Sequence, residues 1–514
     1  MEAKEAGIAA LRAERDADRE ALRLLGLQVA ELQRRLGMDS SNSGTPTSKE
    51  GIAAGEERKA RQRQRSERER RKDRRPGGQP GHPGKGLARD PDPGERKDAP
   101  PPAECRKCKG SLDGAAPAGQ RWAQSWDVRV TRVATEWLLP GLACPCCGEL
   151  TFAAPPPGLH AGSVSYGPLL NAAAVMLTAY GNVPPERAAS LIGMLLGAGV
   201  SAGWVDKASA RLSAMLGEAG LDEAMLAALA GQGVLAADET PVSVLGSQKG
   251  KAPQSAAPAR EGGADPEDKD GNAPAGAPHV LIVRTPDGLL TWLAAIGSRR
   301  KAEIGGGIPA AFTGVLMADG YQGYQHLLDR IAGIQQCCQH VVRRCRAVAG
   351  LGPGTLQSWA EDIIAILREA HRAVEEARAR SDTALDQQVL DDLRERYDKA
   401  VAHGIIHNRL RDWHDGNHPG YALGCWLREY KEQVFLFTRD FRVDWTNNVS
   451  ERGAKAAKRH QAVSGYWHTL ATLARWCRIR SYLDSAMAHG VTAIEAIRTA
   501  LEGNPWLPPI PGAA

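Results

Sequence analysis

The stretch Val234-Leu-Ala-Ala-Asp-Glu-Thr-Pro241 is an apolar run that ends in a carboxylate, Asp238. The same pattern returns in Gly314-Val-Leu-Met-Ala-Asp319, where a second apolar run ends in a carboxylate. Such runs predict buried strands, and α/β folds place ligands at the carboxyl edge of such strands. We therefore expect an α/β core, a mixed sheet flanked by helices, with Asp238 and Asp319 at its functional edge.

A third carboxylate, Glu451, lies in the polar, helix-forming stretch Asn447-Asn-Val-Ser-Glu-Arg452. Three carboxylates gathered at one point repel each other, and a pair of divalent cations removes that repulsion. Oxygen ligands favour Mg²⁺ or Mn²⁺. We predict that Asp238 bridges two ions and that Asp319 and Glu451 hold one each. Glu239 is a rival ligand, but on a strand it would point to the opposite face. The chemistry implied is metal-assisted cutting and joining of a phosphodiester backbone.

Each carboxylate also has a purely structural interpretation. Asp238 would cap a turn, and Asp319 would begin one, as an aspartate before glycine often does. Asn447 and Asn448 would form the N-cap of a helix in which Glu451 completes a capping box. For each carboxylate taken alone, the structural interpretation is favoured over a catalytic one. The three taken together favour a catalytic site.

The pattern around the first carboxylate predicts strands interrupted by an insertion. Residues 233–245 are predicted to be a strand pair that turns at Pro241. Residues 246–278 are rich in Gly, Ala, Pro and charge, which predicts a disordered insertion between hairpin strands. Residues 279–296 resume the strand pattern.

Three regions are predicted to be helical from the spacing of their apolar residues: 165–230, the strongly charged insertion 355–440, and 450–502. A helix-turn-helix ending in the helix Trp204–Gly217 is an alternative to an ordinary bundle in the first region. In the last region the predicted apolar stripe consists of Leu470, Leu473, Trp476, Ile479 and Leu483.

Length and composition limit the classes of protein that this chain can form. Its 514 residues predict several domains, and an apolar content of 42% is enough for real cores. The aromatic content is 5%, so we expect cores of Ala, Leu and Val. No apolar run reaches about 18 residues, so no membrane span is expected. The charged N-terminus carries no apolar signal segment, which predicts a cytoplasmic protein.

The N-terminal 100 residues predict a helix followed by a basic arm. Leucines and valines at steps of three and four in residues 5–36 indicate a coiled-coil dimer or, about equally, a helix packed on its own chain. Residues 39–100 form a Gly- and Pro-rich linker with dense positive charge, usually a solvated tail but here suited to DNA phosphates. The candidate phosphate ligands are Arg70, Arg71, Arg74 and Arg75.

Two Cys-x-x-Cys pairs predict a structural zinc site. They are Cys105-Arg-Lys-Cys108 and Cys144-Pro-Cys-Cys147. Four thiolates in a tetrahedron are a usual structural Zn²⁺ ligand set. The valines of Trp126–Leu139 suggest strands between the pairs. The alternative is that the cysteines are reduced and bind no metal. We consider it weaker, because a small segment with little hydrophobic core needs a metal or a cross-link for stability.

The motifs together resemble the DDE transposases of the insertion-sequence-66 type, over nearly the whole chain. The resemblance rests on short motifs, which are Ser41-Asn42-Ser43, Gly77-Gly-Gln-Pro-Gly-His82, the two cysteine pairs, Tyr166-Gly-Pro, Pro184-Pro-Glu-Arg187, Asp238-Glu-Thr, Asp319-Gly-Tyr and Asn447-Asn-x-x-Glu451-Arg452. The chain departs from the family pattern at Thr446, at Gln461–Trp467 and in the long 246–278 insertion.

The resemblance implies a ribonuclease-H-like catalytic core in which Asp238, Asp319 and Glu451 bind magnesium. It also implies DNA contacts for a second set of residues, namely His340, Arg343, Arg344 and Arg452. The expected partners are the DNA of element ends and target, further copies of the chain in a homo-oligomer, and accessory proteins of the same element. No membrane partner is expected, and the expected location is the cytoplasm, associated with the nucleoid.

The predicted domain order is a coiled-coil helix (1–38), a basic linker (39–100), a zinc-finger-like domain (101–155), a helical DNA-binding or bundle region (160–230), the first part of the catalytic core (231–350), a helical insertion (351–440) and the C-terminal part of the core (441–505). The predicted function is metal-dependent DNA cleavage and strand transfer. The alternatives are a nuclease that hydrolyses without joining and a catalytically inactive DNA-binding protein.

Overall fold

The structure is a computed structural model that describes residues 86–156, 158–245, 277–351, 357–411, 413 and 416–509. The predicted coiled coil, most of the basic linker with its four arginines, and nearly all of the 246–278 insertion lie outside these residues. The chain divides into two compact units, with the boundary between Val133 and Ala134. Each unit is described by itself below.

The first unit contains no helix and no named strand between residues 86 and 133, apart from an isolated bridge between Glu104 and Ser111. Asp90 donates its N–H to the side chain of Gln124 at 2.7 Å, and the amide of Gln124 donates to the Asp90 carbonyl at 3.0 Å. The strands predicted within Trp126–Leu139 are not formed: this stretch has no regular element. Its side chains are largely exposed. The valine pattern alone has therefore not formed a strand, because no neighbouring strand supplies backbone hydrogen bonds.

The second unit begins with a small antiparallel hairpin. Its strands are β1 (Gly141–Ala143) and β2 (Leu150–Phe152), with Leu142 opposite Thr151. The hairpin encloses the second cysteine pair, so the pair lies in the turn of a ribbon.

A five-stranded mixed sheet forms the centre of the second unit, as predicted. Its strands are β3 (Val234–Pro241), β4 (His279–Arg284), β5 (Thr291–Ile296), β6 (Val315–Ala318) and β7 (Gly333–Gln336). The spatial order is β5-β4-β3-β6-β7. Strand β4 is antiparallel to both β5 and β3, whereas β3, β6 and β7 are mutually parallel.

The predicted strand pair turning at Pro241 is wrong. Strand β3 continues through Pro241, which lies opposite His279 on β4. A proline lacks the N–H of a ladder bond, but the last residue of a strand can be spared that bond. The insertion therefore interrupts the β3–β4 hairpin, as predicted.

Helices fill the regions predicted to be helical. Before the sheet they are α1 (Pro168–Val175), continued by a π-turn (Met176–Tyr180), α2 (Pro185–Leu196), α3 (Ala202–Glu218) and α4 (Leu221–Ala230). Among and after the strands they are α5 (Lys301–Gly307), a 3₁₀-helix (Gln322–Asp329), α6 (Cys338–Ala349), α7 (Ser358–Ala379), α8 (Gln387–Asn408), α9 (Pro419–Glu429), α10 (Lys431–Val434), a 3₁₀-turn (Leu436–Thr438), α11 (Asn448–Ser464), α12 (Leu470–Ala488) and α13 (Ala493–Leu501).

The sheet separates two hydrophobic cores. Val234 and Ala236 of β3 join the core built from α6, α7 and α8, whereas Leu235 and Ala237 join the other core. Strand β6 alternates in the same way. The region predicted as a helical insertion therefore covers the β3 and β6 part of one face of the sheet and is part of the core architecture.

Helix α12 closes the outer edge of the sheet. The hydroxyls of Ser481 and Ser485 accept hydrogen bonds from the backbone N–H groups of Leu293 (2.8 Å) and Thr291 (2.9 Å) on edge strand β5. These bonds satisfy groups that would otherwise pair with another chain. Four members of the predicted apolar stripe are buried, but Leu470 is 44% exposed, so its assignment to the stripe is wrong. No helix of the described residues is both long and apolar enough to cross a bilayer.

Candidate active site

Asp238 and Asp319 lie at the carboxyl ends of two neighbouring parallel strands. Asp238 continues the Val234–Ala236 face of β3, because side chains alternate along a strand. Asp319 directly follows β6, where Val315 and Met317 occupy that same face. The register pairs Ala236 with Met317, so the two aspartates lie at matching heights.

A tight turn holds Asp319 in place. Its Oδ1 accepts a hydrogen bond from the backbone N–H of Tyr321 at 3.0 Å. A Cβ on the intervening Gly320 would lie 3.4 Å from the Trp426 ring and 3.8 Å from Arg344. Both distances are ordinary van der Waals contacts, and they place Arg344 close to the end of β6.

The electrostatics of Tyr324 show that both aspartates act on one locality. Burial raises the pKa of Tyr324 well above its ordinary value, and the negative charges of Glu239, Asp319 and Asp238 raise it further. Coulomb effects fall with distance, so carboxylates that act on one buried hydroxyl lie near one another. The structure thus brings together two residues that are 81 positions apart in the chain.

Glu239 lies on the opposite face of β3, as predicted, and is engaged there. Its carboxylate accepts hydrogen bonds from the Arg299 Nε at 2.8 Å and from the Tyr324 hydroxyl, and its side chain is 1% exposed. Burial raises the pKa of Glu239, and the nearby charge of Asp319 adds to that effect, against the opposing influence of Arg299 and Tyr324. Glu239 is therefore a supporting group behind the site.

Arg299 connects this supporting group to the Asp319 turn. Its guanidinium lies 3.7 Å from the centre of the Tyr321 ring, and its carbonyl accepts a hydrogen bond from the Tyr321 hydroxyl at 2.8 Å. Tyr321 is the residue whose N–H binds Asp319. The two strand ends are thus joined through Glu239, Arg299 and Tyr321. Of these, the sequence indicated only Glu239, as a rival metal ligand.

The start of α11 is fastened to the carboxyl edge of the sheet. The Asn447 Nδ2 donates to the Ala237 carbonyl at 2.6 Å, and the Asn447 N–H donates to the Cys337 Sγ at 3.2 Å. The Arg284 Nη1 reaches the Val449 carbonyl at 2.9 Å. The helix therefore begins beside the residue that precedes Asp238.

The predicted capping role of the asparagines is only partly right. Asn447 is the N-cap residue of α11, but its side chain makes no capping bond because it is bound to β3 instead. Position Glu451 follows in the first part of the helix, two residues before Gly453. A Cβ on Gly453 would lie 2.7 Å from Ile282, the residue paired with Asp238 across β3 and β4. The α11 backbone thus approaches the Asp238 face closely.

The predicted DNA-contacting residues outside the basic arm surround the same edge. His340 lies in the first turn of α6 and is half-buried, whereas Arg343 is exposed. The Arg344 guanidinium stacks on Trp426 at 4.4 Å from the ring centre. Arg452 is exposed on α11, directly after Glu451.

The two cysteine pairs form matching turns, each in its own unit. The Cys105 N–H donates to the Gly110 carbonyl at 2.8 Å, and the Cys144 N–H donates to the Glu149 carbonyl at 2.8 Å. Lys109 and Gly148, each four residues after the first cysteine, have positive φ. Backbone N–H groups of Cys108 and Lys107 lower the pKa of Cys105, and those of Cys147 and Cys146 lower the pKa of Cys144. A lowered thiol pKa favours the thiolate that binds metal.

Within the described part of the chain, no group of three or more His, Cys, Asp or Glu side chains has an arrangement that would hold a metal. The oxygen donors of Asp238 and Asp319, on neighbouring strand ends, have the chemistry that magnesium and manganese prefer. The donor set thus fits a hard divalent cation.

The fold and this edge define an α/β protein with an acidic site at the carboxyl ends of its parallel strands. The sequence matches the family described as Transposase IS66 family over residues 163–257 and 279–474. The chain belongs to this family of transposases, which confirms the resemblance and implies a DNA-binding protein. A search of curated proteins gave no match.

Proposed function

We propose that the protein is a DNA transposase that performs metal-dependent cleavage and strand transfer of an insertion element. The observation that carries this proposal is the placement of Asp238 and Asp319 on one face, at neighbouring parallel strand ends, beside the fastened start of α11. Family membership supplies the general role. The particular reaction is our inference from the acidic edge.

A ribonuclease-H-like core accounts for the sheet. Three antiparallel strands are followed by two parallel ones, and the first carboxylate lies on the central strand β3. Helical layers lie on both faces, and residues 357–440 supply part of one of them. This arrangement supports the proposed core because it exposes one edge at which carboxylates from separate elements can converge.

Asp238, Asp319 and Glu451 would hold two magnesium or manganese ions. Bound there, such ions would activate an attacking oxygen and stabilise a leaving one. The chain itself positions the ligands. Strand β3 carries Asp238, the Tyr321 N–H orients Asp319, and Asn447 fixes the helix that contains Glu451.

Cationic residues at this edge would bind the DNA backbone. Arg344 is held against Trp426 and therefore presents a guanidinium in a fixed position near Asp319. Arg343 and Arg452 are exposed, and His340 lies in the helix that follows β7. Phosphate contacts of this kind fix the position of DNA without reading its sequence. The arginines of the basic arm would add to the same non-specific affinity.

We also propose that Cys105, Cys108, Cys144 and Cys147 bind one structural zinc. The repeated turn geometry and the lowered pKa of the first cysteine in each pair support this assignment. The two cysteine turns have the same local geometry although they are far apart in the sequence. A shared role as thiolate ligands of a metal would explain that similarity.

The decisive experiment is a strand-transfer assay on the ends of the element, with magnesium, comparing the parent protein with Asp238→Asn, Asp319→Asn and Glu451→Gln. We expect each variant to bind DNA and to form neither nicked nor joined product. Asp362→Asn, an exposed aspartate on α7, is the matched control and should keep activity. Full activity of any of the three variants would refute the site. Nicked but never joined product from the parent protein would reduce the function to a nuclease.

A further inference from the structure

Asp484 on α12 is an acid that the proposed active site does not use. Its side chain is 20% exposed, and it accepts a hydrogen bond from the Arg480 Nη2 at 2.7 Å. Burial raises the pKa of Asp484, and the positive charges of Arg480, Arg284 and Arg459 oppose that rise. These three arginines belong to α12, β4 and α11. One acid therefore lies where cations from three elements converge.

Arg284 connects Asp484 to the start of α11. Its Nε donates to the Thr291 hydroxyl at 2.9 Å, and its Nη1 donates to the Val449 carbonyl at 2.9 Å. Burial lowers the pKa of Arg284, the charge of Asp484 raises it, and the charge of Arg452 lowers it. A planar guanidinium donates in several fixed directions at once, which an ammonium does not. Arg284 thus joins strand β5 to the first turn of α11 while the charge of Asp484 acts on it.

The stem of Arg284 also lies against α11. A Cβ on Gly453 would lie 3.5 Å from the Cδ of Arg284 and 2.7 Å from Ile282. The second distance is shorter than real side chains tolerate, so the helix can approach this closely only with a glycine. The separation between α11 and β4 is therefore determined by Ile282 and by the stem of Arg284.

Helix α12 gives Asp484 a fixed position relative to the sheet. Ser481 and Ser485, on either side of Asp484 in the sequence, accept hydrogen bonds from the backbone of edge strand β5. Thr291, whose hydroxyl accepts the bond from Arg284, is also the residue whose N–H donates to Ser485. The acid, the arginine and the edge strand are therefore parts of one hydrogen-bonded group.

A buried ion pair is a weak source of stability, because the desolvation of its two charges offsets their attraction. Apolar side chains of similar size often stabilise a core equally well. Hydrogen bonds from a charged guanidinium do something that apolar packing does not, because they hold an acceptor at a set distance and angle. For Arg284 the most specific consequence lies at the Val449 carbonyl, two residues before Glu451.

We propose that Arg284 and Asp484 are positioning residues for the third carboxylate. Asp484 holds the guanidinium in place, and the guanidinium holds the first turn of α11, so that Glu451 and the two strand-end aspartates bind the same cations. Neither Arg284 nor Asp484 touches the cations or DNA. The inference rests on the proposed function, because it concerns the metal site assigned there.

The test measures Mn²⁺ binding by the full chain, with Mn²⁺ as the only ligand, from the electron paramagnetic resonance signal of the free ion. Asp484→Asn and Arg284→Met should each weaken binding by about tenfold, as the loss of a group that orients metal ligands does. Asp222→Asn is the matched control. Asp222 is 26% exposed and pairs with Arg478 of α12 at 2.6 Å, and this pair joins α12 to α4 without involving α11. The control should bind as the parent does. Unchanged affinity in Asp484→Asn, or an equal loss in Asp222→Asn, overturns the inference.

A double variant separates action through Arg284 from general loosening. If Asp484 acts on α11 through Arg284, Arg284→Met/Asp484→Asn should bind Mn²⁺ no more weakly than Arg284→Met alone. Additive losses contradict the inference. Thr291→Val is a milder variant, because it removes one hydrogen-bond acceptor of Arg284 and keeps the side-chain shape. Should circular dichroism show that the first two variants do not fold, parent affinity in Thr291→Val overturns the inference.

Hydrogen exchange gives a second readout, without metal. In Asp484→Asn the backbone amides of residues 452–456 should exchange faster than in the parent, whereas those of α8 should not change; equal rates in residues 452–456 contradict the inference. Asp238→Asn in the Mn²⁺ assay distinguishes the two possible failures. Parent affinity in that variant shows that the ions are not held at the acidic edge, and the proposed function fails. Lost affinity there, together with parent affinity in Asp484→Asn, means that only the positioning role fails.

Discussion

The Asn447 side chain donates a hydrogen bond to the Ala237 backbone carbonyl at 2.6 Å, across 210 residues of chain. Ala237 immediately precedes Asp238, and Asn447 immediately precedes α11. This contact, together with the Asn447 N–H to Cys337 bond and the Arg284 to Val449 bond, therefore holds the helix that carries Glu451 beside the first carboxylate. The asparagine is 2% exposed, so water cannot replace the bond readily.

Asn447→Asp should damage both stability and catalysis. The donor would be replaced by a buried carboxylate facing a carbonyl, which we expect to cost about 2–4 kcal/mol, since burying an unpaired charge costs more than losing a neutral bond. Strand transfer should require more magnesium, because the start of α11 loses one of the bonds that hold it beside Asp238. Urea unfolding and a magnesium titration of activity measure the two effects. Asn448→Asp is the matched control: it is exposed and should change little. Equal behaviour of the two variants would remove the role assigned to Asn447.

Substitutions at Glu239 and Arg299, which lie behind the acidic edge, should have non-additive effects on the free energy of unfolding. Glu239→Gln leaves Arg299 without its charge partner, and Arg299→Met leaves a buried carboxylate without a cation, bonded only to the Tyr324 hydroxyl. We expect the second change to destabilise more, by roughly 2–4 kcal/mol, because Arg299 can reach water and Glu239 cannot. The double variant should recover part of that loss. A thermodynamic cycle by urea unfolding tests this, and strictly additive effects would contradict it. Catalysis by Glu239→Gln should fall moderately, since Glu239 supports the strand ends and does not bind metal.

Much of the sheet follows from local sequence. The apolar runs before Asp238 and Asp319 predict β3 and β6, and alternation alone places Asp238 and Glu239 on opposite faces. Other features depend on contacts between distant segments. Nothing near Arg299 indicates a carboxylate partner 60 residues earlier. The charged helices of residues 357–440 were predicted to be an insertion, yet their apolar side packs against the sheet. The sequence does not reveal this, because the pattern of an amphipathic helix does not indicate which surface it will contact.

Zinc content should be about one ion per chain in protein purified under reducing conditions. Cys105→Ser and Cys144→Ser should each lower that content, because each removes the cysteine whose pKa is lowered by its own turn. Cys146→Ser is the matched control, since Cys146 lies between the proposed ligands of the second pair. Elemental analysis gives the result directly. Zinc-free parent protein, or equal loss with Cys146→Ser, would eliminate the zinc assignment.

Acid should destabilise the second unit through one buried histidine, His279, and one half-buried histidine, His460. Burial lowers the pKa of His279 to about 4; the charge of Arg299 lowers it slightly further, and the charge of Glu303 opposes this. Burial, together with the charge of Arg480, also lowers the pKa of His460 to about 4. Both values lie below the ordinary 6.5, so protonation favours the unfolded chain. Their stabilising effect is complete above pH 6.5 and is lost as the pH falls toward 4.

Between pH 7.5 and pH 5 each histidine should account for a loss of about 2 kcal/mol, at 1.36 kcal/mol for each pH unit below 6.5. His460→Phe keeps an aromatic ring for the stack on Trp467, 4.5 Å between ring centres, and removes the titration. Its free energy of unfolding should therefore fall less steeply with acid than that of the parent, with the slopes converging above pH 7. His468→Phe, at an exposed position, should keep the parent slope. Parallel profiles for parent and His460→Phe would show that His460 does not titrate in this range.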